Sequence, residues 1–151
     1  MATKSGKRPP FQVGASVFFT KMIKEKDINS FAELTGDFSP NHMDEEFMKK
    51  SKYGKRIAHG ALLVGYMSNT STRILEKYEI EDQNSTAVSL GYDRIRFLKP
   101  VLIDDTITIK YEVQKYDQKQ QRSYAGIEIV NQQNELVAVG THILKWVPNI
   151  D

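Results

Sequence analysis

The chain has 151 residues, 40% hydrophobic and 26% charged, which fits one soluble globular domain with a real core. Its net charge of +2 is too small to mark a nucleic-acid binder. The lack of cysteine excludes a disulfide scaffold, a Cys-ligated zinc site and a thiol nucleophile, and is in keeping with a reducing cytoplasm.

The first residues, "MATKSGKRPP", are basic and Pro-rich without the apolar stretch of a secretory signal. Residues 1–12 read as a flexible lead-in and residues 13–151 as one domain. Ala15 to Ile23 is β-rich and predicts a first strand. Asp27 is expected to cap a short helix carrying Ile28, Phe31, Ala32 and Thr35 at helical spacing, with Gly36 as the C-terminal glycine. Glu45 to Ser51 predicts a second short helix capped by Asp44.

From Gly60 a long helix begins, "GALLVGYMSNTSTRILEKY". Its first two turns are apolar all round, so they are expected to be buried. Gly65 inside it implies a second backbone packed close by. The longest apolar run, Ala61 to Met67, is far short of the roughly 20 residues a membrane span needs.

Beyond Glu79 the period changes to two. Val88, Leu90 and Tyr92 alternate with polar or small residues, as do Ile107, Ile109, Tyr111 and Val113. "DQKQQR" and "NQQNE" read as hairpin connections to strands Ser123–Val130 and Leu136–Val147. Pro100 is expected to stop pairing after Leu98. The order predicts an α+β domain in which a curved antiparallel sheet wraps one central helix.

Chemistry concentrates in "LTGDFSPNHMD", Leu34 to Asp44. Asp37, Ser39 and Asn41 alternate like the start of a calcium loop. The sixth and twelfth positions are then His42 and Met48 where Gly and Glu are required, so the pattern fails. Zinc fares no better, because His42, His59 and His142 lack paired ligand spacing. His142 lies in a strand pattern and reads as a packed or edge histidine. A turn stiffened by Pro40 can bring Asp37 and His42 to one point, where a carboxylate and an imidazole hold a water and move protons. From spacing alone this reading and a plain capping turn with a surface histidine are equal.

A second piece is "IAHGALL", Ile57 to Leu63. Gly60 at a helix start lets a ligand approach the backbone, and the free N–H groups there suit a developing oxyanion. A helix start with a plain glycine cap accounts for the same residues. His59 is expected to pack at the helix entry rather than act as a second base.

Together "LTGDFSPNHMD" and "RIAHGALL" resemble the motifs of the MaoC-like, or R-specific, enoyl-CoA hydratases, Gly-Asp-x-Asn-Pro-x-His-x-Asp followed by Ile/Val-x-His-Gly. "IRFLKPVLIDDTITI" is similar to the family's strand–Pro–Val–x–x–Gly–Asp–strand segment. The likeness runs from about Val13 to Val147. It implies a single hot-dog domain, usually a homodimer, acting in the cytoplasm without a cofactor or metal. The implied reaction is reversible addition of water to a trans-2-enoyl thioester, giving the R-3-hydroxyacyl product.

Carried onto this chain, the resemblance makes Asp37 and His42 the catalytic pair. Gly60 and Ala61 become the thioester-oxygen donors, and Ser39, Pro40 and His59 support the site. Ser39 stands where the family usually has Asn, so a supporting hydrogen bond is expected to be lost or replaced by water. Asp104 stands where the family often has Gly, a mild change because Asp tolerates a left-handed turn.

The substrate handle is a large anion, coenzyme A or an acidic acyl carrier protein. Lys49, Lys50, Lys52, Lys55 and Arg56 crowd the loop before the long helix, with Arg94, Arg96 and Lys99 on a later strand end. Lys52, Lys55 and Arg56 are the expected phosphate contacts, against the alternative of a solvated basic surface. Met43, Phe47, Tyr53, Leu62, Leu63 and Tyr66 are candidates for the acyl pocket and equally for the core. Three competing functions remain: an R-3-hydroxyacyl-acyl carrier protein dehydratase, an acyl-CoA thioesterase, and a non-catalytic acyl-CoA-binding dimer.

Overall fold

The computed structural model describes residues 11–80 and 84–150. In chain order the elements are β1 (Ser16–Met22), α1 (Glu25–Thr35), α2 (Pro40–Met43), α3 (Glu45–Lys49), α4 (Gly60–Lys77), β2 (Ser85–Phe97), β3 (Thr106–Asp117), β4 (Arg122–Val130) and β5 (Leu136–Pro148). The strands form one sheet, ordered β1-β3-β4-β5-β2 and antiparallel at each pairing. The long helix α4 lies against it, touching β1 and β3. This is the hot-dog arrangement.

The period-two signal places β3. Ile107, Ile109, Tyr111 and Val113 are at most 1% exposed, because residues two apart share the face that meets the helix. From α4, Leu63, Met67, Thr70 and Ile74 enter the same core at spacings of four, three and four. Each fully buried apolar side chain there contributes about 1.5–3 kcal/mol of transfer free energy. "DQKQQR" and "NQQNE" are the β3–β4 and β4–β5 connections, and β2 ends at Phe97, ahead of Pro100. Among the described residues no helix is long and apolar enough to cross a membrane.

Three expectations need correction. The lead-in falls mostly on residues 1–10, outside the described residues, but its stated end at residue 12 is too late. Phe11 is 2% exposed and lies edge-to-face on Trp146, so the packed domain has begun by then. Asp27 is not the cap of α1. The helix starts two residues earlier, and the Asp27 carboxylate accepts from the Lys24 N–H as the third helical residue. The first turns of α4 are not buried all round, since Ala61, Gly65 and Ser68 form an exposed stripe. Gly65 has nothing within 4 Å of where a Cβ would stand, so no backbone of this chain accounts for it.

Candidate active site

Gly36 ends α1 with φ +79° while its N–H reaches the Ala32 carbonyl, which throws the chain out of the helix. Asp37 follows. Ser39 precedes α2, and Pro40 fits its first helical position because its missing N–H has no helical partner there anyway. This single turn, which sequence periodicity does not reveal, carries His42. Asp44 then caps α3 by accepting from the Phe47 N–H.

Asp37 is half-buried. Its Oδ1 accepts from the Ser39 hydroxyl at 2.6 Å and from the Ser39 N–H at 3.2 Å. These two bonds, the hydroxyl first, hold the carboxyl below the usual carboxylate range. The expected loss of a supporting bond at Ser39 is therefore corrected: serine is short but sits two residues away, and its own hydroxyl makes the contact.

His42 is held from several directions. Its Nδ1 donates to the Ile57 carbonyl at 2.8 Å, while the Ile57 N–H donates to the Asn41 carbonyl at 3.0 Å. Residues 57–58 are themselves fixed to the segment after β2. Ile57 bridges to Leu102, and the Ala58 N–H donates to the Val101 carbonyl at 2.7 Å. His59 is buried, as expected of a packing residue. Its Nε2 donates to the Asp37 main-chain carbonyl at 3.0 Å, and its ring lies between Phe31 and His42.

A carboxylate oxygen of Asp37 and one ring nitrogen each of His42 and His59 lie within 4.8 Å of one another. A water making two bonds of about 2.8 Å spans such a gap. A metal fits less well. The two imidazoles are stacked 3.9 Å apart at 27°, so their in-plane lone pairs lie in two nearly parallel, separated planes. They do not converge on one point about 2.1 Å from each nitrogen.

His42 and Gly60 face one cavity of about 300 Å³, with Asn41, Tyr53, Leu63 and Phe97 in its wall. Gly60 opens the 18-residue α4, whose first N–H groups have no partner within the helix. The Phe97 ring covers Gly60 so closely that a Cβ would stand 2.5 Å from its edge. No sequence pattern marks Phe97 or the Ile57 carbonyl as part of this site, because both enter through tertiary packing.

Of the pocket candidates, Tyr53 and Leu63 line this cavity. Leu62 and Tyr66 line a separate hollow with Phe31 and Leu34, Met43 packs against the core, and Phe47 is exposed. Lys50, Lys52 and Lys55 are exposed, Lys52 over the Tyr53 ring. Lys49 and Lys99 pair with Glu46 and Glu135, and Arg94 and Arg96 are exposed. Arg56 is a correction. It is 7% exposed and bonded to the His42 carbonyl, Glu25 and Asn29, which leaves its guanidinium no face for a phosphate. Asp104 takes φ +71°, the left-handed turn expected of it.

His142 is the packed histidine its strand position predicts. It is fully buried, Nδ1 bonded to the Tyr111 hydroxyl and Nε2 to Ser89. Burial pushes it down to about 4, so it is neutral.

The MaoC like domain family matches residues 4–134 of this chain. A 3-hydroxybutyryl-CoA dehydratase of Methylorubrum extorquens is 34% identical over 103 residues, 68% of this chain and 60% of that protein. An (R)-specific enoyl-CoA hydratase of Rhodospirillum rubrum is 34% identical over 96 residues, 63% of this chain and 60% of that one. The chain thus spans about 60% of the length of these two curated relatives. The solved (R)-hydratase from Aeromonas caviae involved in PHA biosynthesis superposes with a TM-score of 0.76 at 24% identity, covering 95% of this chain and 98% of that one. At that identity the superposition speaks for the fold.

Proposed function

This chain belongs to the MaoC-like domain family, and from that premise we propose that it is an R-specific hydratase acting reversibly on trans-2-enoyl-CoA. The observation that carries the reading is the cluster of Asp37, His42 and His59 within 4.8 Å, with His42 and Gly60 on one cavity. Relatives named as hydratase and dehydratase support the reaction class.

Water addition joins the water oxygen to C3 and a proton to C2. In this proposal the water lies between the Asp37 carboxylate and His42. Asp37 is held ionised by Ser39 and stays an anion that orients the water. His42 Nδ1 is committed to Ile57, so Nε2 is the acceptor that takes the water's proton and returns it to C2. Negative charge gathers on the thioester oxygen meanwhile. The N–H of Gly60, with Ala61 next to it, meets that charge at the positive end of α4. Elimination of water from the R-3-hydroxyacyl thioester is the same path reversed.

The exposed stripe of Ala61, Gly65 and Ser68 supports a homodimer formed through α4. The exposed Lys50, Lys52 and Lys55 support a second reading for the carrier, an acyl carrier protein in place of coenzyme A.

The test is hydration of crotonyl-CoA with chiral analysis of the product, beside matched carrier-protein thioesters. Formation of the R product supports the reading. Release of free thiol makes the chain a thioesterase, and tight binding without turnover makes it a binding protein. Either result overturns the proposal.

A further inference from the structure

We infer that Arg56 is a positioning residue that sets the geometry of the Asp37–His42 pair, rather than a contact to substrate. Its Nε donates to the His42 main-chain carbonyl at 2.5 Å, its Nη1 to Glu25 Oε1 at 2.7 Å and its Nη2 to Asn29 Oδ1 at 2.7 Å. A buried guanidinium is tolerated when its donors are satisfied, and the planar fork reaches three acceptors that an ammonium on a flexible stem cannot hold at once.

What those acceptors belong to gives the contact its meaning. Glu25 and Asn29 lie in the first turns of α1, and the far end of α1 delivers Asp37 through Gly36. The His42 carbonyl closes the short turn of α2, and the Asp44 N–H that follows is bonded back to the Pro40 carbonyl. Arg56 therefore ties the helix behind the carboxylate to the turn behind the imidazole. Its neighbour Ile57 completes the grip, accepting from His42 Nδ1 and donating to the Asn41 carbonyl. One pair of adjacent residues fixes His42 through main chain on one side and ring on the other. A misplacement of about 1 Å in such a constellation is enough to cost on the order of 100-fold in turnover.

The kinetic consequence rests on the hydratase reading; the structural consequence does not. The experiment compares wild type with Arg56→Lys, which keeps the charge and loses the fork. With crotonyl-CoA, kcat is expected to fall at least about 10-fold while KM changes by less than about 3-fold, the signature of lost transition-state geometry. A phosphate contact would instead raise a salt-dependent KM and spare kcat, and that result overturns the inference.

The second arm is the ring ¹⁵N spectrum of the histidines, which needs no turnover. In wild type His42 is expected to show the Nδ1–H tautomer. In Arg56→Lys its signals move toward a mixture of tautomers, while those of His142 stay in place. Unchanged His42 signals overturn the inference whatever the activity. A wild type that shows the tautomer shift in the variant but never hydrates crotonyl-CoA sinks the hydratase reading alone. Should Arg56→Lys fail to fold, Glu25→Ala and Asn29→Ala each remove one partner, and each is expected to move both readouts the same way by less. Wild-type values in both variants overturn the inference.

Discussion

The Nδ1–H of His42 donates to the Ile57 carbonyl at 2.8 Å. A carbonyl only accepts, so the neutral ring carries its proton at Nδ1 and its lone pair at Nε2. The Asn41 side-chain amide, 3.4 Å from Nε2, can donate to that lone pair. The tautomer of the proposed base is thus written into main-chain geometry, and the first prediction follows from it. His42→Gln is expected to lower kcat/KM for crotonyl-CoA by about 100- to 10,000-fold, as loss of a general acid–base group does, and Asp37→Asn by about 100-fold, as misplacement of the reacting water does. Steady-state hydration rates check this, and near-wild-type rates in either variant contradict it.

Ser39 sets where Asp37 protonates. Asp37 is held low by the Ser39 hydroxyl first and by its N–H second, so the ionised form persists to lower pH than an ordinary carboxylate allows. Ser39→Ala removes the larger of the two. The Asp37 carboxyl should then titrate at a higher pH, read from its ¹³C shift, while the hydration rate near pH 7 changes little. Superimposable carboxyl titrations would remove this role from Ser39.

His142 makes stability fall with acid. Its pKa is lowered from 6.5 to about 4 by burial, so the folded state resists a proton that the unfolded state accepts. Above pH 6.5 neither state is charged and nothing is lost. As pH falls from 6.5 toward 4, the unfolded state alone binds the proton, and stability drops by about 1.4 kcal/mol per unit. His142→Gln should flatten this slope in denaturant titrations run across that window, and an unchanged slope would assign the acid sensitivity to other groups.

Gly60 is needed for space at the site. An added Cβ would stand 2.5 Å from the Phe97 ring, which is itself half exposed and free to swing. Gly60→Ala is therefore expected to cost at most about 1 kcal/mol of stability, below the usual range for overpacking. The displaced ring would enter the cavity beside His42, so kcat/KM should fall by more than the stability change implies. Adding Phe97→Ala to Gly60→Ala should recover part of it. Thermal melts and steady-state kinetics on the single and double variants decide this.

Met67 tests the core beneath the site. It is fully buried on α4, and Met67→Ala is expected to lower stability by about 2–5 kcal/mol, measured as a shift in denaturant midpoint at constant slope.

The sheet was legible because its signal is local. The alternation from Ile107 to Val113 needs only neighbours to be read, and those side chains are buried as it demands. Helix α4 was legible at its start from the His-Gly step. The motif around Asp37 and His42 was legible as a turn, but its convergence was not, because Ile57 and Val101 supply it from elsewhere in the chain. Arg56 misled for the same reason. It sits among exposed lysines in sequence, and only Glu25 and Asn29, on a helix well upstream, pull it inside. Asp27 was misread as a cap because the same carboxylate serves the helix start from its third position.

The seat of Ile57 and Ala58 on Leu102 and Val101 also sets an order in time. The hairpins of β3, β4 and β5 close through short connections and local contacts, whereas this seat joins parts of the chain separated by α4 and all of β2. Contacts so distant in sequence carry a larger loop-closure cost and form slowly. A refolding chain therefore acquires the β3–β4–β5 hairpins before it acquires a placed His42. Backbone signals should recover ahead of activity, and turnover becomes the last sign that folding is complete.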